Sequence, residues 1–232
     1  MKDIIDWTNN NSGFLALLIF LVTIVTGWFS GFFKSIIKVP RLKIRFIDKM
    51  TFYSFYYTGE TWFNKELNTN FKMHKTGFVF YMSIANIGNK PTAIDKIWIG
   101  YYKNNLKKKR LRKDIHWLAQ WHPIENFIFP MKDESAIIVN NIRVKNNIYD
   151  NNSDDDLGVG KSLVGVANFE QQSAWGNLNP VQKEDGEIDV VIKIRDVYNR
   201  IYKFKTQLRQ LPIEKAREFN PHFGNTEEIF KN

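Results

Sequence analysis

Four histidines, one glycine run with a lysine, one acidic run and one strongly basic run are where chemistry could reside in this sequence. The histidines, His74, His116, His122 and His222, contain no i, i+4 pair and stand in no His-Glu-x-x-His frame. The chain has no cysteine, which excludes thiolate zinc sites, cysteine nucleophiles and disulfides. Gly158-Val-Gly-Lys-Ser162 approaches a phosphate loop, but the required first glycine falls at position 155, which is Asp155. The residues after Ser162 are strand-like where that motif needs a helix, so a glycine turn into a strand is expected. A calcium loop starting at Asp150 would need glycine where Asp155 stands and a bidentate glutamate where Lys161 stands. A solvated acidic loop is the simpler reading. No serine lies in a Gly-x-Ser-x-Gly elbow. No catalytic residue, metal or cofactor is implied, and the chain reads as a non-enzyme.

The basic run is the most unusual stretch. Lys103, Lys107, Lys108, Lys109, Arg110, Arg112 and Lys113 crowd together, with Trp117 and Trp121 close behind. Such a cluster suits anionic lipid headgroups or nucleic-acid phosphates, or is simply a solvated loop between strands. Lipid ranks ahead of nucleic acid because of what lies upstream. Lys107, Lys108, Lys109 and Arg110 are the candidate anion contacts within it, together with Lys34, Lys38 and Arg41.

Upstream, residues 13–33 carry no charge and are strongly apolar. As a helix they would extend about 31 Å, the thickness of a hydrocarbon core. Thr23 and Thr26 can return their hydroxyls to the backbone one turn back, and Trp7 and Trp28 lie near the ends, where indoles favour the interface. A cleaved signal peptide would carry its positive charge before the apolar run. Here Lys34, Lys38, Arg41, Lys43 and Arg45 follow it, while Lys2 is offset by Asp3 and Asp6. The positive side stays in the cytoplasm. The expected layout is a short extracytoplasmic N-terminus over 1–12, a single-pass transmembrane helix over 13–33 and a basic linker over 34–40. A cytosolic domain over 41–211 follows, then a C-terminal helix and tail over 212–232, the whole held at the inner membrane. Gly27 and Gly31, spaced as Gly-x-x-x-Gly, are candidate helix-packing positions.

Beyond Pro40 the period changes to two. Arg41–Phe46 alternates charged and apolar residues, Phe52–Tyr57 predicts a strand ended by Thr58-Gly59, and residues 76–87 predict one with Phe78, Phe80, Met82 and Ile84 on one face. Further strands are expected over Ile94–Tyr102, Ala136–Val144 and Ser162–Phe169, with a mobile polar loop over Asn146–Gly160. Residues 187–208 predict a hairpin turning at Asp196–Arg200, and Ile213–Phe219 a helix stopped by Asn220-Pro221. The fold class is mainly β: one N-terminal transmembrane helix, then an antiparallel sandwich or barrel of six to eight strands with a short C-terminal helix.

Met82-Ser-Ile-Ala-Asn-Ile-Gly-Asn-Lys-Pro-Thr-Ala-Ile94 and the Asp196-x-Tyr-Asn-Arg-x-Tyr202 hairpin resemble turn elements of immunoglobulin-like sandwiches in bacterial membrane-tethered proteins. The chain departs from that pattern by lacking the Cys–Trp–Cys core and by insertions over 103–134 and 146–160. The resemblance implies a fold and no activity. Two functions remain open: a non-catalytic tethered binding or signalling module for an unidentified protein or small ligand, or a membrane-disrupting effector activated by homo-oligomerisation, as small tethered β-domains of this type resemble effectors of bacterial anti-phage (antiviral defence) systems.

Overall fold

The computed structural model describes residues 2–32, 38–47, 50–103, 114–120, 126–133, 135–144, 156–176 and 178–225. Helix α1 (Lys2–Asn10) runs into α2 (Ser12–Phe29), whose residues are all unburied. Its length and mean hydropathy of 2.2 suffice to cross a membrane. Thr23 and Thr26 donate to the carbonyls of Ile19 and Val22, each at 2.8 Å, so their hydroxyls are satisfied without water. The helix closes at Ser30, and Gly31 turns left-handed at φ +76°. Glycine there is the usual helix stop, because a Cβ would clash. Gly31 therefore stands just past the cap of α2, while Gly27 lies in its last turn.

The rest is mainly β, in two facing sheets. The first contains β1 (Leu42–Phe46), β2 (Phe52–Asn64), β3 (Thr69–Asn86) and β8 (Ser162–Glu170). β8 takes one edge of β3, while β1 and β2 follow each other along the opposite edge. The second sheet has the order β10 (Ile201–Gln210), β9 (Ile188–Asp196), β4 (Ile94–Tyr102), β5 (Ile115–Ala119). A short parallel pairing, Phe52 with Arg209 and Tyr53 with Gln210, joins the sheets at one corner. β6 (Phe127–Pro130) and β7 (Ala136–Val139) form a separate hairpin.

Alternation dictates what meets between the sheets. Phe78, Phe80, Met82 and Ile84 of β3 face Ile97, Ile99 and Tyr101 of β4 and Ile188, Val190, Ile192 and Ile194 of β9. The Phe78 and Tyr101 rings meet at 5.2 Å. The buried phenols are satisfied: Tyr101 donates to the Leu178 carbonyl at 2.9 Å and Tyr53 to that of Gly186 at 2.8 Å. Each fully buried side chain of this size contributes roughly 1.5–3 kcal/mol.

The outer face of the first sheet is buried too. Phe52, Val79 and Val166 pack beneath Phe127, Phe129 and Val139 of the β6–β7 hairpin and beneath Ala216 and Phe223. Ala216 belongs to α3 (Ile213–Phe219). Phe223 lies on Gly77 so closely that a Cβ there would stand 2.4 Å from the ring. β3 is therefore buried on both faces from His74 to Phe80, where alternation predicts one. The C-terminal helix thus packs on the outer face of the first sheet.

Two strand limits also differ. β2 does not end at Thr58-Gly59; Gly59 adopts φ +86°, a register shift follows, and pairing resumes from Thr61 to Asn64. The β2–β3 hairpin thus forms an arm, largely exposed from Tyr57 to Met73. Only Ala136–Val139 of the expected 136–144 strand pairs as one; Asn141 then makes an isolated bridge to Val166.

Candidate functional site

The outer face of the second sheet is where side chains of unusual type converge. Outward positions form two cross-strand rows: Lys203, Lys193, Trp98 and Ala119, then Lys205, Val191, Gly100 and Trp117. Gly100 has no side chain because Trp117 lies over it; a Cβ would meet that indole at 2.8 Å. The Lys193 Nζ sits 4.4 Å from the Trp98 ring centroid and 4.5 Å from that of Trp117. Arg195 adds a second cation 5.5 Å from the Trp98 ring while bonding Asp95. A lysine between two indoles gains roughly 0.5–2 kcal/mol, more as water is excluded. Both indoles and Lys193 are half-buried, and Lys203 and Lys205 are exposed beside them.

Toward one end, this face is rimmed by ion pairs, Lys183–Asp189 at 2.6 Å and Arg209–Glu187 at 3.1 Å. An open groove of about 680 Å³ runs between Tyr102, Asp189, Val191 and Lys205. Below it, His116 packs on Tyr101 at 5.4 Å. Burial, and then the nearby Lys103 charge, lower the His116 pKa.

The basic run leaves from this same end. Its roots are joined by the Lys103 N–H donating to the Asp114 carbonyl at 3.2 Å. β4 carries them away from the linker, so they emerge about 26 Å along the strand from Ile94. Lys107, Lys108, Lys109 and Arg110 themselves lie outside the described residues, as do Lys34, Trp121 and His122.

The opposite end holds the linker. The Asn86 side-chain oxygen accepts from Gly88 N–H at 3.0 Å and from Arg41 N–H at 3.3 Å; its amide donates to the Lys90 and Leu157 carbonyls at 2.8 and 3.0 Å. Asn89 and Val39 exchange two bonds, Asn89 N–H to the Val39 carbonyl and Val39 N–H to the Asn89 side-chain oxygen. Gly88 lets them approach; a Cβ there would stand 2.3 Å from the Val39 oxygen. The Tyr202 hydroxyl lies 3.0 Å from the Pro40 carbonyl oxygen and 3.1 Å from an oxygen of buried Asp196. Desolvation, reinforced by Asp196, pushes its pKa up to about 12. Lys38 and Arg41 are exposed at this junction.

Gly158–Lys161 is a turn that delivers β8, a strand and not the helix a phosphate loop requires. Most of the acidic run, residues 150–155, lies outside the described residues. Among the described residues, no three His, Asp or Glu side chains gather into a group able to hold a metal ion. Sequence reasoning missed the Trp98–Lys193–Trp117 cluster. Its one local signal was Trp98, a large aromatic on the outward phase between Ile97 and Ile99. The chain matches no family model, and no curated protein matches it.

Proposed function

We propose that this protein is a non-catalytic, membrane-tethered binding module of immunoglobulin-like type, which offers the outer face of its second sheet to an acidic protein partner. The observation carrying this reading is the Trp98–Lys193–Trp117 platform, flanked by the exposed ammonium groups of Lys203 and Lys205. Tryptophan and cations at the centre of an open face, with a polar rim, are the composition of an interface anchor. The strand pairing supports the immunoglobulin-like part. β1/β2, β3 and β8 correspond to strands A, B and E, and β10, β9, β4 and β5 to G, F, C and C′. The described roots of the basic run, Lys103 and Asp114, lie at the end of the same face. The charge excess after the apolar helix favours a cytosolic domain at the inner membrane. Alkaline phosphatase fused at Asn232 should be silent in that arrangement, and strong activity would reverse it.

The test of the platform is photo-crosslinking in living cells. A photoreactive residue at Lys203 should yield a discrete adduct that Lys193→Glu abolishes, whereas one at Leu67 on the arm should not. Equal adducts from both positions would refute the reading. An adduct destroyed by nuclease would transfer the site to nucleic acid, with the indoles as stacking surfaces. The membrane-disrupting effector of a defence system is the second reading. It draws on α2, none of whose residues is buried among the described residues.

A further inference from the structure

The linker end of the domain carries more than the clamp on Val39–Arg41. Three turns converge there, tied to one another by backbone bonds. Gly160 N–H donates to the Asn86 carbonyl at 2.9 Å, Thr92 N–H to that of Leu157 at 3.1 Å, and Val197 N–H to that of Ala93 at 3.1 Å. The tips of these turns are apolar and turned to water: Ile87 is 60% exposed, Val159 52% and Tyr198 45%. Water-exposed apolar tips are individually ordinary; what matters here is that Ile87, Val159 and Tyr198 share the end from which the chain leads to α2.

Cations stand between them. The Lys90 Nζ lies 3.8 Å from the Tyr198 ring centroid, and Lys161 and Arg200 are exposed on the neighbouring turns. Three carboxylates of the described residues belong to this end. Asp196 is buried in its turn, Asp95 is paired with Arg195, and Asp156 is exposed at the border. With Lys38 and Arg41, the cations outnumber them. Chain length limits the separation: ten Cα–Cα steps lead from the end of α2 at Phe29 to the docked Val39, at most about 36 Å when fully extended. Apolar tips ringed by lysine and arginine are the chemistry of a headgroup layer, with the ring of Tyr198 suited to the interface.

We propose that this end is a second membrane contact, in which Ile87, Val159 and Tyr198 seat in the headgroup layer of the bilayer α2 crosses, while Lys90, Lys161 and Arg200 meet its phosphates. The contact rests on the tethered reading. It stands the sandwich upright, with the tryptophan platform on its flank and the β2–β3 arm farthest from the lipid.

The absence of cysteine makes the test direct. The full chain, carrying one cysteine at Ile87, Val159, Leu67 or Leu21, is labelled with a polarity-sensitive fluorophore. It is reconstituted into phosphatidylcholine vesicles with and without phosphatidylglycerol, and quenched by spin-labelled lipid. Labels at Ile87 and Val159 should shift to the blue and be quenched several-fold more than the label at Leu67. Adding Lys90→Gln, Lys161→Gln and Arg200→Gln should remove most of that difference and leave the Leu21 label in lipid. If Ile87 and Val159 behave as Leu67 does while Leu21 is quenched, the second contact is wrong and the tether stands. If Leu21 is not quenched, the tether fails and takes the contact with it. Quenching at Ile87 that ignores both phosphatidylglycerol and the three glutamines would overturn the role of the cations.

Discussion

The two outer faces of this sandwich have had opposite fates. On the first sheet, the β6–β7 hairpin, α3 and Phe223 seal Val79, Phe52 and Val166 from water. On the second, two tryptophans and a lysine stay half in water. The covered face is a second core, and its residues should matter to folding. The open face has no such cover among the described residues, and its residues should matter to binding. The contrast says where to look for function in a β-domain: at large aromatics that the fold leaves open although it covers others.

The sharpest way to break this comparison is to remove Phe223. Phe223→Ala should cost roughly 3–5 kcal/mol, read from the urea midpoint, because the hole opens inside a packed cluster. Gly77→Ala, which drives a methyl into that ring, should cost roughly 1–3 kcal/mol. If both are neutral, the hairpin and helix do not form a core. Gly88→Ala should act at similar size but locally. It should unseat the linker and raise hydrogen exchange at Val39 and Ile87 before the rest of the domain responds.

Acid provides a gentler probe. His74 is 3% exposed, packs on Phe55 at 5.1 Å and has neither ring nitrogen hydrogen-bonded. Burial lowers its pKa, so the folded state resists protonation that the unfolded chain accepts. Stability should hold above about pH 6.5 and decline as pH falls from there toward the folded value. His116 shifts in the same direction. His74→Phe should flatten part of that decline, and an unchanged profile would exclude His74 as the source. The smallest effect on folding belongs to the open face: Trp117→Ala should cost under about 1 kcal/mol while abolishing the cross-link. A large loss of stability there would move Trp117 from partner binding to the fold.

Period-two reading found the inner core because Phe78, Phe80, Met82 and Ile84 alternate cleanly. The second core was written in the same strand. Gly77-Phe-Val-Phe-Tyr81 is unbroken in apolar character, the sign of a strand covered on both sides. Its cover, however, comes from segments that begin only at Phe127, which no local pattern connects. Gly59 reads as a strand end because glycine usually interrupts pairing, yet here it absorbs a shift and β2 continues. Gly27 and Gly31 match a spacing in the sequence, but the left-handed turn at Gly31 is not legible there. The tryptophan platform takes residues from three strands, and only the cross-strand register brings Lys193 between the indoles.

The bond between Tyr202 and Pro40 spans 162 residues of chain. At a synthesis rate of about 5–20 residues per second, roughly 8–30 s pass between the two ends leaving the ribosome. Until β8 follows, β3 has one bare edge, and until β10 follows, β2 lacks its parallel partner. An unpaired strand edge is a template for wrong pairing, so the growing chain carries a hazard that the finished sandwich has closed. A chaperone that binds growing chains would find its substrate there.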